Sequence, residues 1–269
     1  MDLFAYSFMV RAFIAAALAG AVCGVVGVWV VLLNLPFISV AMAHAAFAGA
    51  VFGVLLGVHP LLAAVVCCTL SALAVGPLAD RARMSANASL SVVFSLVLGA
   101  AFMGIGFIRG PKTEVLNYLW GNILTVSPGH VQLLAVVAAV IGVFLAACRK
   151  EILAVLYDRE IARSVGIRER GIFYLLLTLT GIAVALNIGT VGGLLIFSLL
   201  TATPLAARQV THSLPAMYAV SAAFGTAACF IGLAVSFWWS VPTGASIIIA
   251  SGAIFGICLM VSSLRRNSR

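Results

Sequence analysis

The sequence predicts an all-α fold, a polytopic membrane bundle of about nine helices, and three observations carry that prediction. Of 269 residues, 64% are apolar and only 8% are charged. A soluble domain carries about a quarter charged residues, because its surface must face water. The apolar residues fall in long continuous stretches, near 10–33, 38–57, 60–79, 89–108, 131–148, 171–187, 190–207, 217–239 and 245–264. The charges lie between them. Helices are required because the bilayer core offers backbone groups no water. A membrane barrel would show alternation in short segments instead. One membrane domain over 1–269 leaves no room for a separate catalytic or nucleotide-binding domain.

The first stretch opens behind Asp2 with no basic leader, so it reads as a true span and not a cleaved signal peptide. Ala15-Ala16-Ala17-Leu18-Ala19-Gly20 in the first stretch and Ala45-Ala46-Phe47-Ala48-Gly49-Ala50 in the second place small residues where backbones can approach closely. Cys23, Cys67, Cys68, Cys148, Cys229 and Cys258 lie in apolar runs without metal-ligand spacing and read as small buried hydrophobes. The sixth and seventh stretches are separated by Asn187-Ile188-Gly189-Thr190-Val191-Gly192-Gly193, which carries no charge. That segment reads either as a tight turn at the membrane surface or as a broken helix whose freed backbone lines a cavity. If the seventh stretch does not complete a crossing, the spans number eight.

Charge orients the bundle. With nine spans, one side receives Arg81, Arg83, Arg149, Lys150, Arg159, Arg163, Arg168, Arg170, Arg208, Arg265, Arg266 and Arg269, and the other only Arg11, Arg109 and Lys112. Twelve against three places the first group in the cytoplasm, the N-terminus outside and the C-terminus inside. The net charge of +8 thus reports orientation in a lipid bilayer, not a nucleic-acid partner.

Two connections are long. The inner one, 149–170, mixes Glu151, Asp158, Glu160 and Glu169 with basic residues and repeats Ile152, Leu153, Val155, Leu156, Ile161 and Val165 at helical spacing. One or two short surface helices are expected, their apolar residues covered by membrane or by a partner protein. The outer one, 109–130, is bounded by Gly110-Pro111 and Ser127-Pro128-Gly129 and holds Tyr118 and Trp120, which suit the headgroup level. A short interfacial or re-entrant helix is expected there.

Few polar groups enter the bundle. His44 lies inside the second stretch, and a buried imidazole must face the bundle interior or a wet cavity. It reads either as a ligand or relay in a conduction path or as a packed histidine bonded to a neighbouring carbonyl or hydroxyl. His59-Pro60 closes an outer turn, where His59 could meet an arriving ligand. His130 starts a helix after Ser127-Pro128-Gly129, and His212 reads as solvated. Ser198, Thr201 and Thr203 precede Pro204, which predicts a kink with local polarity, and Ser198 and Thr201 become candidate path-lining residues.

No carboxylate falls within the stretches beyond their end turns, so coupling to protons or sodium lacks its usual carrier. No GxxxxGK[ST], HExxH or GxSxG pattern occurs, so neither nucleotide binding of that kind nor a membrane enzyme is indicated. Energy from outside the chain fits these absences better than a self-sufficient channel or ion-coupled carrier. A scaffold without transport activity is the remaining class.

The chain resembles the permease subunit of bacterial ABC importers for zinc, manganese and iron. The resemblance rests on Ala43-His44-Ala45, on Tyr118-Leu119-Trp120-Gly121-Asn122-Ile123-Leu124, on Leu194–Ala207 with its Pro204, and on Pro242-Thr243-Gly244-Ala245. Asp158-Arg159-Glu160-Ile161-Ala162-Arg163-Ser164-Val165-Gly166 is similar to the family's D-P-E-x-A-x-x-x-G. The resemblance implies a homodimer or another permease pair, a cytoplasmic ABC ATPase dimer and a periplasmic or extracellular solute-binding protein in a bacterial plasma (inner) membrane. ATP and Mg would be held by the ATPase, and the permease would hold no cofactor, only the metal ion in transit. Segment 150–170 would be the coupling element, with Asp158, Glu160, Ala162 and Gly166 at its motif positions.

One departure bears on substrate. The family's manganese and zinc members carry an Asp four residues before the histidine, where this chain has Val40. A divalent metal remains the expected cargo, with a chelated metal or another small solute as the alternative.

Overall fold

The computed structural model describes residues 7–109, 116, 121, 123 and 126–267. Its helices are α1 (Ser7–Leu32), α2 (Phe37–Leu56), α3 (Pro60–Ala82), α4 (Ala86–Phe107), α5 (Pro128–Ala147), α6 (Arg149–Tyr157), α7 (Arg159–Ser164), α8 (Glu169–Asn187), α9 (Gly193–Val210), α10 (Leu214–Trp239) and α11 (Thr243–Asn267). No strand occurs among the described residues. Eight helices, α1 to α5 with α8, α10 and α11, are long and apolar enough to cross a membrane. The seventh expected stretch differs: it gives a shorter apolar helix, over Leu195–Val210 within α9. The outer helix expected between residues 109 and 130 lies mostly outside the described residues, as do Tyr118 and Trp120.

Local signals set the helix ends. Ser85 caps α4 through the backbone N–H of Ala88 at 3.2 Å, and Ser127 caps α5 through that of His130 at 3.3 Å, with Pro128 in its first turn. Gly57 ends α2 in the left-handed region, with φ of 69°. Helices α1, α2 and α8 form the buried centre, and α4, α5 and α11 are largely exposed. Leu62, Leu70, Leu96, Phe102, Val143 and Ile249 point outward, as a surface solvated by lipid chains permits.

In lipid the hydrophobic effect does not press helices together, so close packing and interhelical hydrogen bonds must do so. The α1–α10 contact shows both. Gly20 and Gly24, one helical turn apart, lie against Gly225 and Ser221, and a Cβ on Gly20, Gly24 or Gly225 would collide with the facing backbone. Within that approach the Ser221 hydroxyl donates to the Gly24 carbonyl at 2.7 Å, and the Thr226 hydroxyl to that of Ala17 at 3.3 Å. A longer hydrogen-bond link joins α1 to α8, where Trp29 Nε1 donates to Thr180 Oγ1 at 2.8 Å and both side chains are buried.

Helix α9 connects the two ends of the bundle. Its start follows a turn packed against Gly121, and its end at Thr211 shares a groove with Leu32, Tyr157 and Met217. Pro204 lies within it, at the position where the sequence predicts a kink. The ring removes the donor for the Leu200 carbonyl, and Gly27 of α1 lies directly over that carbonyl. The freed oxygen is covered by helix, not water.

Replacing Gly225 with Val should destabilise the bundle by about 1–3 kcal/mol, because neither backbone can retreat. Thermal aggregation in detergent would check this against Gly256→Val, whose added Cβ meets open space. Equal melting of the two variants would refute the close-packing argument.

Candidate functional site

The end of the bundle that carries α6, α7 and the start of α8 holds the most elaborate polar construction. Helix α6 leaves the membrane behind Cys148, and α7 follows after one residue, Asp158. The Asp158 carboxylate caps α7, accepting from the backbone N–H groups of Glu160 at 2.7 Å and Ile161 at 3.1 Å. Gly166 closes the same helix at φ of 85°. Its N–H donates to the Arg163 carbonyl at 3.1 Å, and that of Ile167 to the Ala162 carbonyl at 3.0 Å. Of the four motif residues, Asp158 and Gly166 therefore set the length of a two-turn helix. Ala162 faces inward and is fully buried, while Glu160 is exposed.

Leu153 and Tyr157 on α6, Ile161 on α7 and Val165 just beyond its end stay exposed, Tyr157 at 84%. Ile152, Val155 and Ala162 fill the opposite side and are buried. The segment thus presents an apolar stripe away from the bundle, flanked by the exposed Asp158 and Glu160.

Sequence reading missed what fastens this segment. Glu169, the first residue of α8, is 2% exposed. One carboxylate oxygen accepts from Arg159 at 2.9 and 3.3 Å, and the other from Arg163 at 3.1 Å through Nε and at closer range through Nη2. The Arg159 guanidinium also stacks 4.0 Å from the ring centre of Phe173, one turn along α8. The four-residue spacing of Arg159 and Arg163 was visible in the sequence; their shared acid, beyond the turn at Gly166, carried no local signal.

Inside the membrane, His44 lies on the α2 face that also carries Phe37 and Val40, all three half-buried. Its ring meets Phe94 of α4 edge to face at 5.2 Å, and Phe37 meets the same ring at 5.2 Å. Among the described residues, His44 Nδ1 is buried with no hydrogen-bond partner. The ring is packed against Phe94, while Nδ1 meets no carbonyl or hydroxyl among the described residues. Ser198 turns elsewhere, sharing a 2.6 Å hydrogen bond with Ser251 of α11, and Thr201 donates to the Phe197 carbonyl of its own helix at 2.7 Å. His59 is exposed in the α2–α3 turn, where its carbonyl accepts from the N–H of Ala63 at 3.2 Å. His212 is exposed, as expected.

The segment between α8 and α9 is buried and not at a surface. Asn187, Ile188, Thr190 and Val191 are almost wholly enclosed. The Asn187 carbonyl accepts from the N–H groups of Thr190 at 3.2 Å and Val191 at 2.9 Å and from the Thr190 hydroxyl at 2.9 Å. Gly121, at φ of 68°, packs against the backbone of Val191 and Gly192, and His130 Nε2 donates to the Leu186 carbonyl at 2.8 Å. His130 therefore does not cap α5, which Ser127 does. It ties α5 to the outer end of α8.

Fold and site together fit a membrane permease: a helical bundle with polar groups spaced through its interior and exposed apolar side chains on two short helices at one end. Residues 5–262 match the family described as the ABC 3 transport family. The chain belongs to that family and is a transmembrane permease subunit of a metal-type ABC importer, a multi-pass protein of the inner membrane and the non-catalytic part of its complex. Importers of this kind combine paired permeases, ATPases and a solute-binding protein.

The chain is 26% identical to the manganese transport system membrane protein MntC of Halalkalibacterium halodurans, over 97% of this chain and 89% of that one. It is 27% identical to the chelated iron transport system membrane protein YfeD of Yersinia pestis, over 97% and 88%. The solved structure of PsaBC from Streptococcus pneumoniae in complex with Fab superposes with a TM-score of 0.85 at 25% identity, covering 95% of this chain and 92% of that chain.

Proposed function

We propose that two copies of this chain form the translocation path for a divalent transition metal, which an external solute-binding protein delivers and a cytoplasmic ATPase pair drives inward. The observation that carries the coupling part of this reading is the stripe of Leu153, Tyr157, Ile161 and Val165 on α6 and α7. Apolar side chains this exposed need a cover, and their helices lie at the end of the bundle that carries most of the basic residues. An ATPase groove supplies that cover and lets the acids of Asp158 and Glu160 meet its rim. Segment 150–170 then acts as the coupling element within the single domain, and 109–130 contributes to the outer face.

The cytoplasmic assignment of α6 and α7 also sets the ends. Helix α9 joins the two ends of the bundle and so counts as a ninth passage, leaving the N-terminus outside and the C-terminus inside. His44 is the path residue of this reading. Its Nδ1 has no partner, it shares a face with Val40, and neutral imidazole binds borderline metals well. Ser198, Thr201 and His59 are secondary candidates, the last as an exposed imidazole at the outer turn.

A second reading, a chelated metal as cargo, is favoured by Val40. Val40 brings no negative charge to the His44 face, and Phe37 and Phe94 bring none either, so a naked dication would be poorly compensated there.

Ile161→Glu should abolish co-purification of the ATPase while the permease still inserts and purifies; retention of the ATPase at full stoichiometry would defeat the coupling role. His44→Ala should lower metal uptake by the reconstituted complex about tenfold or more without disturbing assembly, in the range that losing one metal-site interaction costs. Wild-type uptake kinetics in that variant would remove His44 from the path. A fluorescent reporter fused to the C-terminus should fold and fluoresce in the cytoplasm, and an alkaline phosphatase fused there should stay inactive. The reverse pattern would overturn the nine-passage orientation.

A further inference from the structure

We infer that Glu169 is the positioning residue that makes α7 and α8 move as one body, so that displacement of the coupling segment reaches the outer side of the bundle through α8. The inference rests on the coupling reading above and adds the part that transmits the motion.

The argument begins with cost. Glu169 is the one acid among the described residues whose side chain is covered, at 2% exposed. Its cover is Arg159 and Arg163, which remain 40% and 62% exposed, so the carboxylate gives up water contact for these two partners in particular. A short surface helix such as α7 could be held by apolar contacts alone, as Ala162 already holds it. Instead both oxygens of Glu169 are filled, each by a separate arginine using two nitrogens, from positions one turn apart on α7. Two bidentate grips fix rotation and sliding together, which a single contact cannot do. Arg159 adds a third point of attachment through Phe173. Buried ionic groups are best attested as devices that fix register, and this arrangement fixes the register of α7 on α8.

What α8 reaches gives the clamp its use. The helix is 19 residues long, about 28 Å at the usual rise. At mid-length Thr180 accepts from Trp29 of α1, and at the far end the Leu186 carbonyl is held by His130 of α5. Beyond it lies the buried turn that seats Gly121 of the outer connection. A push on α7 therefore arrives, through one uninterrupted helix, at the contact between α5, α9 and the outer segment. Without the clamp, α7 could shift on its partner while α8 stayed still.

The test uses the whole importer: permease pair, ATPase pair and solute-binding protein in sealed vesicles. Manganese(II), zinc(II) and iron(II) are offered in turn, and the ion with the highest wild-type uptake serves as the probe. Glu169→Gln and the double variant Arg159→Gln/Arg163→Gln are measured for ATPase co-purification, ATP hydrolysis and metal taken up per ATP hydrolysed. The double variant alters only side chains that are 40% and 62% exposed, so it threatens folding less.

The expected result is a bound, active ATPase with uptake per ATP lowered about tenfold, within the range of ordinary coupling free energies. Glu169→Asp, which keeps the carboxylate, should recover part of the loss. Unchanged uptake per ATP in both variants would overturn the inference. So would uptake and hydrolysis falling in step, which marks a role in folding alone. If instead Ile161→Glu leaves the ATPase bound, the coupling reading itself falls, and the two failures are thereby told apart.

Discussion

Within the bilayer no water completes an unfinished hydrogen bond, and this constraint explains the least regular parts of the chain. Pro204 removes a donor from the Leu200 carbonyl, and the bundle answers with Gly27 laid over the exposed oxygen. The turn after α8 breaks the helical ladder inside the protein, and the Asn187 carbonyl then gathers two backbone donors and one hydroxyl. Its side-chain nitrogen returns to the Ala183 carbonyl at 2.7 Å. Where a helix is interrupted, a close neighbour or a short polar side chain stands in for solvent. Glycines on α1 serve the same end: they bring α10 near enough for Ser221 and Thr226 to donate across the gap.

The same constraint sorts the charges. Glu169 sits at the first residue of α8, at one end of the bundle, where Arg159 and Arg163 reach it from the short helix α7, and not within an apolar span where each ion would stand alone. Mid-depth polarity is neutral: Trp29 with Thr180, Ser198 with Ser251, and His44 against Phe94. A bundle built this way can slide helices past one another without separating charges in lipid. Among the described residues, the charged fastening of Glu169 to Arg159 and Arg163 lies at one end of the bundle.

Much of this was legible from the chain. The apolar runs, the breaker at Ser127-Pro128 and the place of Pro204 inside a helix are local features, and local features survive into the fold. Two short helices at 149–166 were legible for the same reason, since their apolar residues keep helical spacing. The burial of Asn187–Gly193 was not: a chargeless, glycine-rich segment looks alike whether it ends at a headgroup or packs on Gly121, which is distant in sequence. Nor were the pairings of His130 with Leu186, Ser198 with Ser251 and Glu169 with two arginines. Each joins elements whose adjacency is decided by the packing of the whole bundle. The seventh stretch, expected over 190–207, forms α9 three residues later, over Gly193–Val210, because Thr190 and Val191 are taken up by the buried turn.

The character of the His44 face follows from these same choices. Position 40 lies one turn below His44 and would be the natural place for a carboxylate to balance a metal, but it holds Val, flanked by Phe37 and Phe94. A neutral imidazole donates one lone pair and cancels no charge, so a passing dication would keep its full cost of dehydration. Pairing two permeases would bring a second imidazole, which adds a ligand yet still no negative charge. The compensation must then travel with the cargo, as a chelator's anionic groups would, or be spread over the carbonyl dipoles of the facing helices. If His44 lines the path as proposed, it offers a passing metal one neutral nitrogen ligand and no electrostatic well.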